Sequence, residues 1–596
     1  MNSRSIFHRR AALLLCLGIG LGLFGERALA SSLQISVRHT FAGEPLQMDS
    51  LRYKNAPGET LSIARVSYLL SGFALEKESG AWLEVTNQYA WIDAGARRES
   101  IRLEAIPEGS YRAIRFYIGP GAAANHADPA KFPADHALNP NLNGLHWNWQ
   151  GGYIFLALEG LFRTAPGHAL GGFAYHFARY PNRVPIVMSG RFDLSHDVVA
   201  QIDFDLGRLL NAPRPLSFVN DGSSTHSREG DPIAAAMAAN LQGAFNIRQI
   251  GSATSAVSKA EIVKPLYLPE KFTPFAFKMS GSFPVPGLPR DNPLIEERVA
   301  LGQKLFNETA LSRDGSLSCA SCHRIANAFS DPRRFSLGVR EQTGARQAMP
   351  LFNLAWKSSF FWDGRAPSLR AQALIPIQDH AEMDESLTNV VAKLAGKISY
   401  GEAFESAFGS REITSEKIGL ALEQFMLTLT SYDSKFDRAL NGQTSLTTNE
   451  QRGFELFMTE YEPRTDRYGA DCFHCHGGPL FSDHQFHNNG LDAKHESDPG
   501  RSRVTQNDAD RGKFSTPSLR NIELTAPYMH DGRFATLEEV IGHYSRGVNR
   551  SASLDPNLAK HPDGGLQLSA GDKTALVAFL KTLTDEKYKT NTARIE

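Results

Sequence analysis

Cys319-Ala-Ser-Cys322-His323 and Cys472-Phe-His-Cys475-His476 decide how the second half of this chain is read. Two thiols on one turn can add to the two vinyl groups of a haem as thioethers. The His that follows is then held beneath the iron as its proximal ligand. A lone Cys-x-x-Cys would equally suit a redox dithiol or half of a zinc site. Two copies, each followed by His, point instead to two covalent haems c, held by Cys319, Cys322, His323, Cys472, Cys475 and His476. His474, between the second pair of cysteines, reads as a loop residue.

Working outward, each motif has a similar approach. Gly302-Gln-Lys-Leu305-Phe306 precedes the first, and Gly453-Phe-Glu-Leu456-Phe457 precedes the second. Ile418, Ala421, Leu422, Phe425 and Leu429 fall on one helical face. The repeat predicts two related helical modules, at 293–440 and 441–596. Ahead of them, 249–292 is punctuated by Pro265, Pro269, Pro274, Pro284, Pro286 and Pro289 and reads as an extended linker. Residues 31–248 read as β-rich. Leu33, Ile35 and Val37 alternate with polar residues, as do Ala200, Ile202 and Phe204, and Arg112–Ile118 does so less regularly. The expected fold is multidomain: an N-terminal antiparallel β-sandwich followed by two mainly α-helical cytochrome c-type modules.

The 596 residues are 42% hydrophobic and 21% charged, ordinary globular proportions. A net charge of −1 gives no global field for nucleic acid or an anionic membrane surface. Arg4, Arg9 and Arg10, the apolar run Ala11–Phe24 and Ala28-Leu29-Ala30 form an export signal, with cleavage expected after Ala30. Cys16 lies inside it. No later stretch is apolar enough to span a bilayer, so a periplasmic protein without stable membrane insertion is expected.

From about 290 to 590 the chain resembles the bacterial di-haem cytochrome c peroxidase and MauG superfamily. The resemblance is carried by Pro350-Leu-Phe-Asn353, Phe361-Trp362-Asp363-Gly364-Arg365, Gln372-Ala-Leu-Ile-Pro376 and Glu382-Met383. Pro517-Ser-Leu-Arg-Asn521, Leu524-Thr-Ala-Pro-Tyr-Met-His-Asp-Gly532 and Tyr544-Ser-Arg-Gly547 extend it. It implies a peroxide-reacting first haem with Gln372, Pro376 and Glu382 on its distal side. Glu382 would move a proton between the peroxide oxygens, and Trp362 would relay electrons between haems. Family peroxidases place a distal His after the first motif, whereas Phe335–Gly344 contains none. Where they present Met to the second haem, this chain has Tyr544, the MauG-like choice, with His543 a competing candidate. Thr525, Pro527 and, in place of the usual Asn, Gln347 would hold a calcium ion. His530 matches a residue near the haems.

His146-Trp147-Asn148-Trp149-Gln-Gly-Gly152-Tyr153, Leu158-Glu159-Gly160 and Phe173-Ala-Tyr175-His176 are similar to the MbnP family of periplasmic copper-binding proteins. Such proteins are paired with a MauG-like di-haem enzyme, MbnH. It uses hydrogen peroxide, through a high-valent di-haem state, to oxidise a Trp of its partner to kynurenine. The resemblance implies that this chain holds enzyme and protein substrate together. Trp147 or Trp149 is the expected target, and His39, His126, His146 and His176 are the candidate copper ligands. Two other readings stay open. One is a detoxifying peroxidase fed by a small cytochrome c. The other is a non-enzymatic copper-binding or electron-carrier protein.

Overall fold

The computed structural model describes residues 30–147, 151–252 and 264–589. The predicted leader, with Cys16, and Trp149 lie outside the described residues. Among the described residues thirteen strands precede the haem-binding half. They are β1 (Ala30–Phe41), β2 (Glu44–Pro45), β3 (Tyr53–Lys54), β4 (Thr60–Lys77), β5 (Trp82–Asp93), β6 (Ser100–Pro107) and β7 (Ser110–Ile118). β8 (Ile154–Arg163), β9 (Gly171–Ala178), β10 (Val184–Asp193), β11 (Val198–Asp205), β12 (Ser224–Thr225) and β13 (Phe245–Ser252) follow. One sheet runs β13-β11-β1-β2, with β6 also on β1. The other runs β10-β7-β4-β8-β9-β12, with β3 and β5 on β4. Strict alternation lets each strand bury one face. Leu33, Ile35, Val37, Ala200, Ile202 and Phe204 are all buried. Their two strands are direct neighbours, Leu33 opposite Val198 and Val37 opposite Ile202, and they run parallel. β9 and β12 are the other parallel pair, and the remaining pairings are antiparallel.

The second half is mainly helical. Its principal helices, after α1 (Pro232–Ala244) of the β domain, are α2 (Glu296–Phe306), α3 (Leu369–Gln378), α4 (Ser415–Leu427), α5 (Thr448–Met458), α6 (Leu537–Arg546) and α7 (Ala570–Lys581). The repeated glycines explain the repeated packing. A Cβ on Gly302 would stand 2.0 Å from the Ala421 carbonyl oxygen, and one on Gly453 2.0 Å from that of Ala575. Each lets one helix lie directly on another, α2 on α4 and α5 on α7. Among the described residues no helix is long and apolar enough to cross a membrane.

The proline-rich segment is docked rather than loose. Phe283 is fully buried, and Trp356 Nε1 donates to the Pro284 carbonyl at 2.7 Å. The apolar interior of the β domain continues into that of the second haem module, one cluster holding Phe155 and Tyr175 together with Phe457, Phe473 and Phe579. Gly172 fixes this docking, since a Cβ there would stand 1.9 Å from the Pro556 carbonyl oxygen. Arg464 donates to the Ser224 carbonyl (2.8 Å) and Arg550 to that of Leu170 (3.2 Å) across the same boundary.

Candidate functional site

Ser368 caps α3, its hydroxyl accepting from the Ala371 amide, and the helix delivers Gln372 and Pro376 to a cavity of about 520 Å³. Cys319, Cys322 and His323 line the same cavity, as do Trp362 and Glu382. The His-free loop holds Glu382 in place. The Val339 amide donates to the Glu382 carbonyl (2.8 Å), and Gly338 leaves room for the Ala381–Glu382 backbone. Burial, reinforced by Asp379 and opposed by Arg365, pushes the Glu382 carboxyl up to about 7. It can therefore both hold and release a proton near neutrality.

The second cavity, about 200 Å³, is lined by Cys472, Cys475, His476, Met529 and Tyr544. Thr536 and Glu539 form a capping box that starts α6, and its register turns Tyr544 into the cavity. Neighbouring His543 is turned aside, with Nε2 bonded to the Asn489 carbonyl at 3.0 Å. Burial pushes the Tyr544 phenol up to about 12, against the lowering effect of Asn489. Trp362, Gln347 and Pro350 line both cavities, and Trp362 Nε1 donates to the Gln347 carbonyl (2.8 Å). Thr525, Pro527 and His530 also border the second cavity.

These residues fit two haems c. The four cysteines are free thiols. His323 Nδ1 pairs with the Phe329 carbonyl (2.8 Å) and His476 Nδ1 with that of Phe481 (3.1 Å). Each bond fixes the tautomer and leaves Nε2 for iron.

A third cavity, about 80 Å³, lies where the β domain meets the second haem loop. It is lined by His146, Trp147 and His176 from one side and Phe473, His474 and His484 from the other. Trp147 is buried, its ring 5.0 Å from that of His226, itself 5.7 Å from Phe473 and 5.3 Å from His474. The candidate copper ligands therefore divide. His146 and His176 share this cavity. His39 does not join it, being packed between Tyr68 and Phe204 inside the sandwich. Nor does His126, exposed at the end of the short helix Ala122–Asn125. Two residues were missed. His474 is no bare loop residue, since docking of the β domain buries it, and His226 carries no spacing signal at all. His226 reaches Trp147 through the folding of the β domain, whereas His474 joins them only once the two halves meet.

A family model described as di-haem cytochrome c peroxidase matches residues 296–445, and a model for MbnP matches 30–227. Methylamine utilization protein MauG of Methylorubrum extorquens is 39% identical over 300 residues, covering 50% of this chain and 81% of that protein. Cytochrome c551 peroxidase of Nitrosomonas europaea is 34% identical over 314 residues, 52% of this chain and 86% of that one. Among solved structures, a MauG-like protein associated with microbial copper homeostasis is similar at 35% identity and a TM-score of 0.48, covering 53% of this chain and 97% of that one. With two cavities lined by Cys-x-x-Cys-His residues and relatives matched over four-fifths of their length, the chain belongs to the di-haem cytochrome c peroxidase and MauG family, as a di-haem peroxidase-type oxidoreductase preceded by an MbnP domain.

Proposed function

We propose that this chain is a periplasmic enzyme that uses hydrogen peroxide to convert Trp147 of its own β domain to kynurenine, next to a copper site. The reading is carried by the row of tilted rings behind the second haem loop. Trp147 rests on His226, and His226 rests on Phe473 and His474, the two residues between Cys472 and Cys475. The indole is thus one ring removed from the haem-attachment turn. Electrons can leave it through adjacent π systems, and it need not enter the peroxide pocket.

When bound, the haems supply peroxide reduction and oxidising power. This chain's residues supply the rest. Glu382 takes a proton from one peroxide oxygen and returns it to the other. Gln372 orients peroxide through its amide, and Pro376 keeps that wall apolar. Trp362, which lines both cavities, would carry electrons between them, and Tyr544 would hold the second haem through its phenol oxygen. Gln347 and the carbonyls of Thr525 and Pro527 would offer neutral oxygens to a calcium ion. The balance is a four-electron oxidation followed by hydrolysis. Two peroxides are reduced to water, two oxygen atoms enter across the indole C2–C3 bond as it breaks, and water then removes the formyl carbon as formate.

Peptide mass spectrometry after addition of peroxide tests this. The mass shift of kynurenine on the peptide carrying Trp147, abolished in Trp147→Phe, is the expected result. Fast turnover of a reduced small cytochrome c with that peptide unchanged would instead favour a detoxifying peroxidase.

A further inference from the structure

His176, His226 and His474 form a compact triangle between the two halves of the chain. One ring nitrogen from each lies within 4.8 Å of one from each of the others. The ring centroids are 5.0, 5.1 and 5.3 Å apart. His176 Nδ1 stands 3.3 Å from His226 Nε2. Two nitrogens bound at about 2.0 Å to one ion, at angles between tetrahedral and trigonal, stand about 3.3–3.5 Å apart, so this spacing already suits a shared ion.

The outer nitrogens and charges agree. His176 Nε2 meets Glu159 at 2.9 Å, His226 Nδ1 pairs with Glu460, and His474 Nε2 meets Asp471 at 2.9 Å. A carboxylate behind each imidazole is the arrangement that orients histidine ligands on a metal. All three rings are buried, with side-chain exposures of 2, 2 and 4%. Burial lowers the titration of both His176 and His226, which favours the neutral, coordinating form of each ring. Against the three carboxylates stand two cations, Arg65 on Glu159 and Lys560 on Asp471 and Glu460. The surroundings therefore lack one positive charge.

We propose that His176 and His226 of the β domain and His474 of the second haem loop together hold one copper(I) ion, which spans the interface. A monovalent cation restores neutrality, and three imidazoles without an open position suit it. The inference rests on the copper part of the reading above and not on oxidation of Trp147. Its distinctive element is His474. The residue between the haem-binding cysteines becomes a ligand, so the ion ties the β domain directly to the turn that holds the second haem.

The test is anaerobic titration of the di-haem protein, before any peroxide, with copper(I) against bicinchoninate, alongside X-ray absorption. One ion per chain with three nitrogen neighbours is expected. His474→Ala and His226→Ala should each weaken binding at least tenfold, and Glu460→Gln, which keeps all three imidazoles, by about 10–100-fold. His126→Ala should bind as the parent does. Haem content and circular dichroism show whether each variant is assembled. Should His474→Ala lose its second haem, Glu460→Gln decides. No copper retained against the competitor, parent-like affinity in both His226→Ala and Glu460→Gln, or zinc(II) displacing copper at equal concentration would each overturn the proposal. The Trp147 peptide is analysed in the same samples after peroxide. Copper on three nitrogens with unmodified Trp147 defeats only the oxidation reading, and kynurenine formed without copper binding defeats only this one.

Discussion

In the first haem module Gly302 rests on the Ala421 carbonyl, and in the second Gly453 rests on that of Ala575, at the same 2.0 Å for an added Cβ. Each proximal His is steered by a backbone carbonyl five or six residues on. Up to this point the modules are copies. They part on the opposite side of each cavity. The first is wider and carries Glu382, with no imidazole on the 335–344 loop. The second is narrower, with the phenol of Tyr544 on its wall. Shared packing thus fixes where a haem sits, while a few side chains from other elements decide what it does. On the proposed reading the larger cavity would admit peroxide, and Tyr544 would close the smaller one.

Several changes would break or sharpen this contrast. The largest effect is expected from Glu382→Gln, which removes the proton carrier from the first cavity only. Peroxide-driven modification of Trp147 should fall about 10²–10⁴-fold, measured by peptide mass spectrometry, while the second haem's spectrum stays unchanged. Next is Tyr544→Met, which replaces a hard oxygen donor by a soft thioether. The second haem's reduction potential should rise by on the order of 100 mV, read by spectroelectrochemistry, and kynurenine yield should drop. If the potential does not move, Tyr544 is not the ligand. Gly302→Ala and Gly453→Ala should each cost about 1–3 kcal/mol through overpacking, seen as matching losses in chemical denaturation. Unequal losses would mean that the likeness of the modules is superficial. The smallest effect is pH dependence. Glu382 is protonated below about 7, so it loses its ability to accept the peroxide proton as pH falls. The rate of peroxide reaction should decline about tenfold per pH unit below that point, and Glu382→Gln should flatten the profile.

Much of this was legible from the sequence, for identifiable reasons. The haem-binding cysteines and histidines lie within five contiguous residues, so spacing alone announces them. Leu33–Val37 and Ala200–Phe204 announced strands, because alternation is local. Their parallel pairing was not legible, since alternation is the same in either direction and the partners are 165 residues apart. The resemblance favours Tyr544 over its competitor His543, but helical geometry alone says only that one of the two faces the iron. The bond from His543 to the Asn489 carbonyl shows which one is turned away. Most opaque was the cluster around Trp147. His226 sits in a loop with no periodicity, and His474 was read wholly within its haem motif. Their meeting depends on a docked interface that no window of sequence contains.

That interface rests on Gly172, where the chain passes so close to Pro556 that even a methyl group would not fit. Because Trp147 is already seated beside the second haem-attachment turn, the proposed oxidation requires no diffusional encounter between two macromolecules. Conversion should therefore be first order in protein, with a half-life that survives thousandfold dilution. On the proposed reading each molecule would complete it once and keep its product, so the chain would be a self-maturing device rather than a catalyst that turns over a pool.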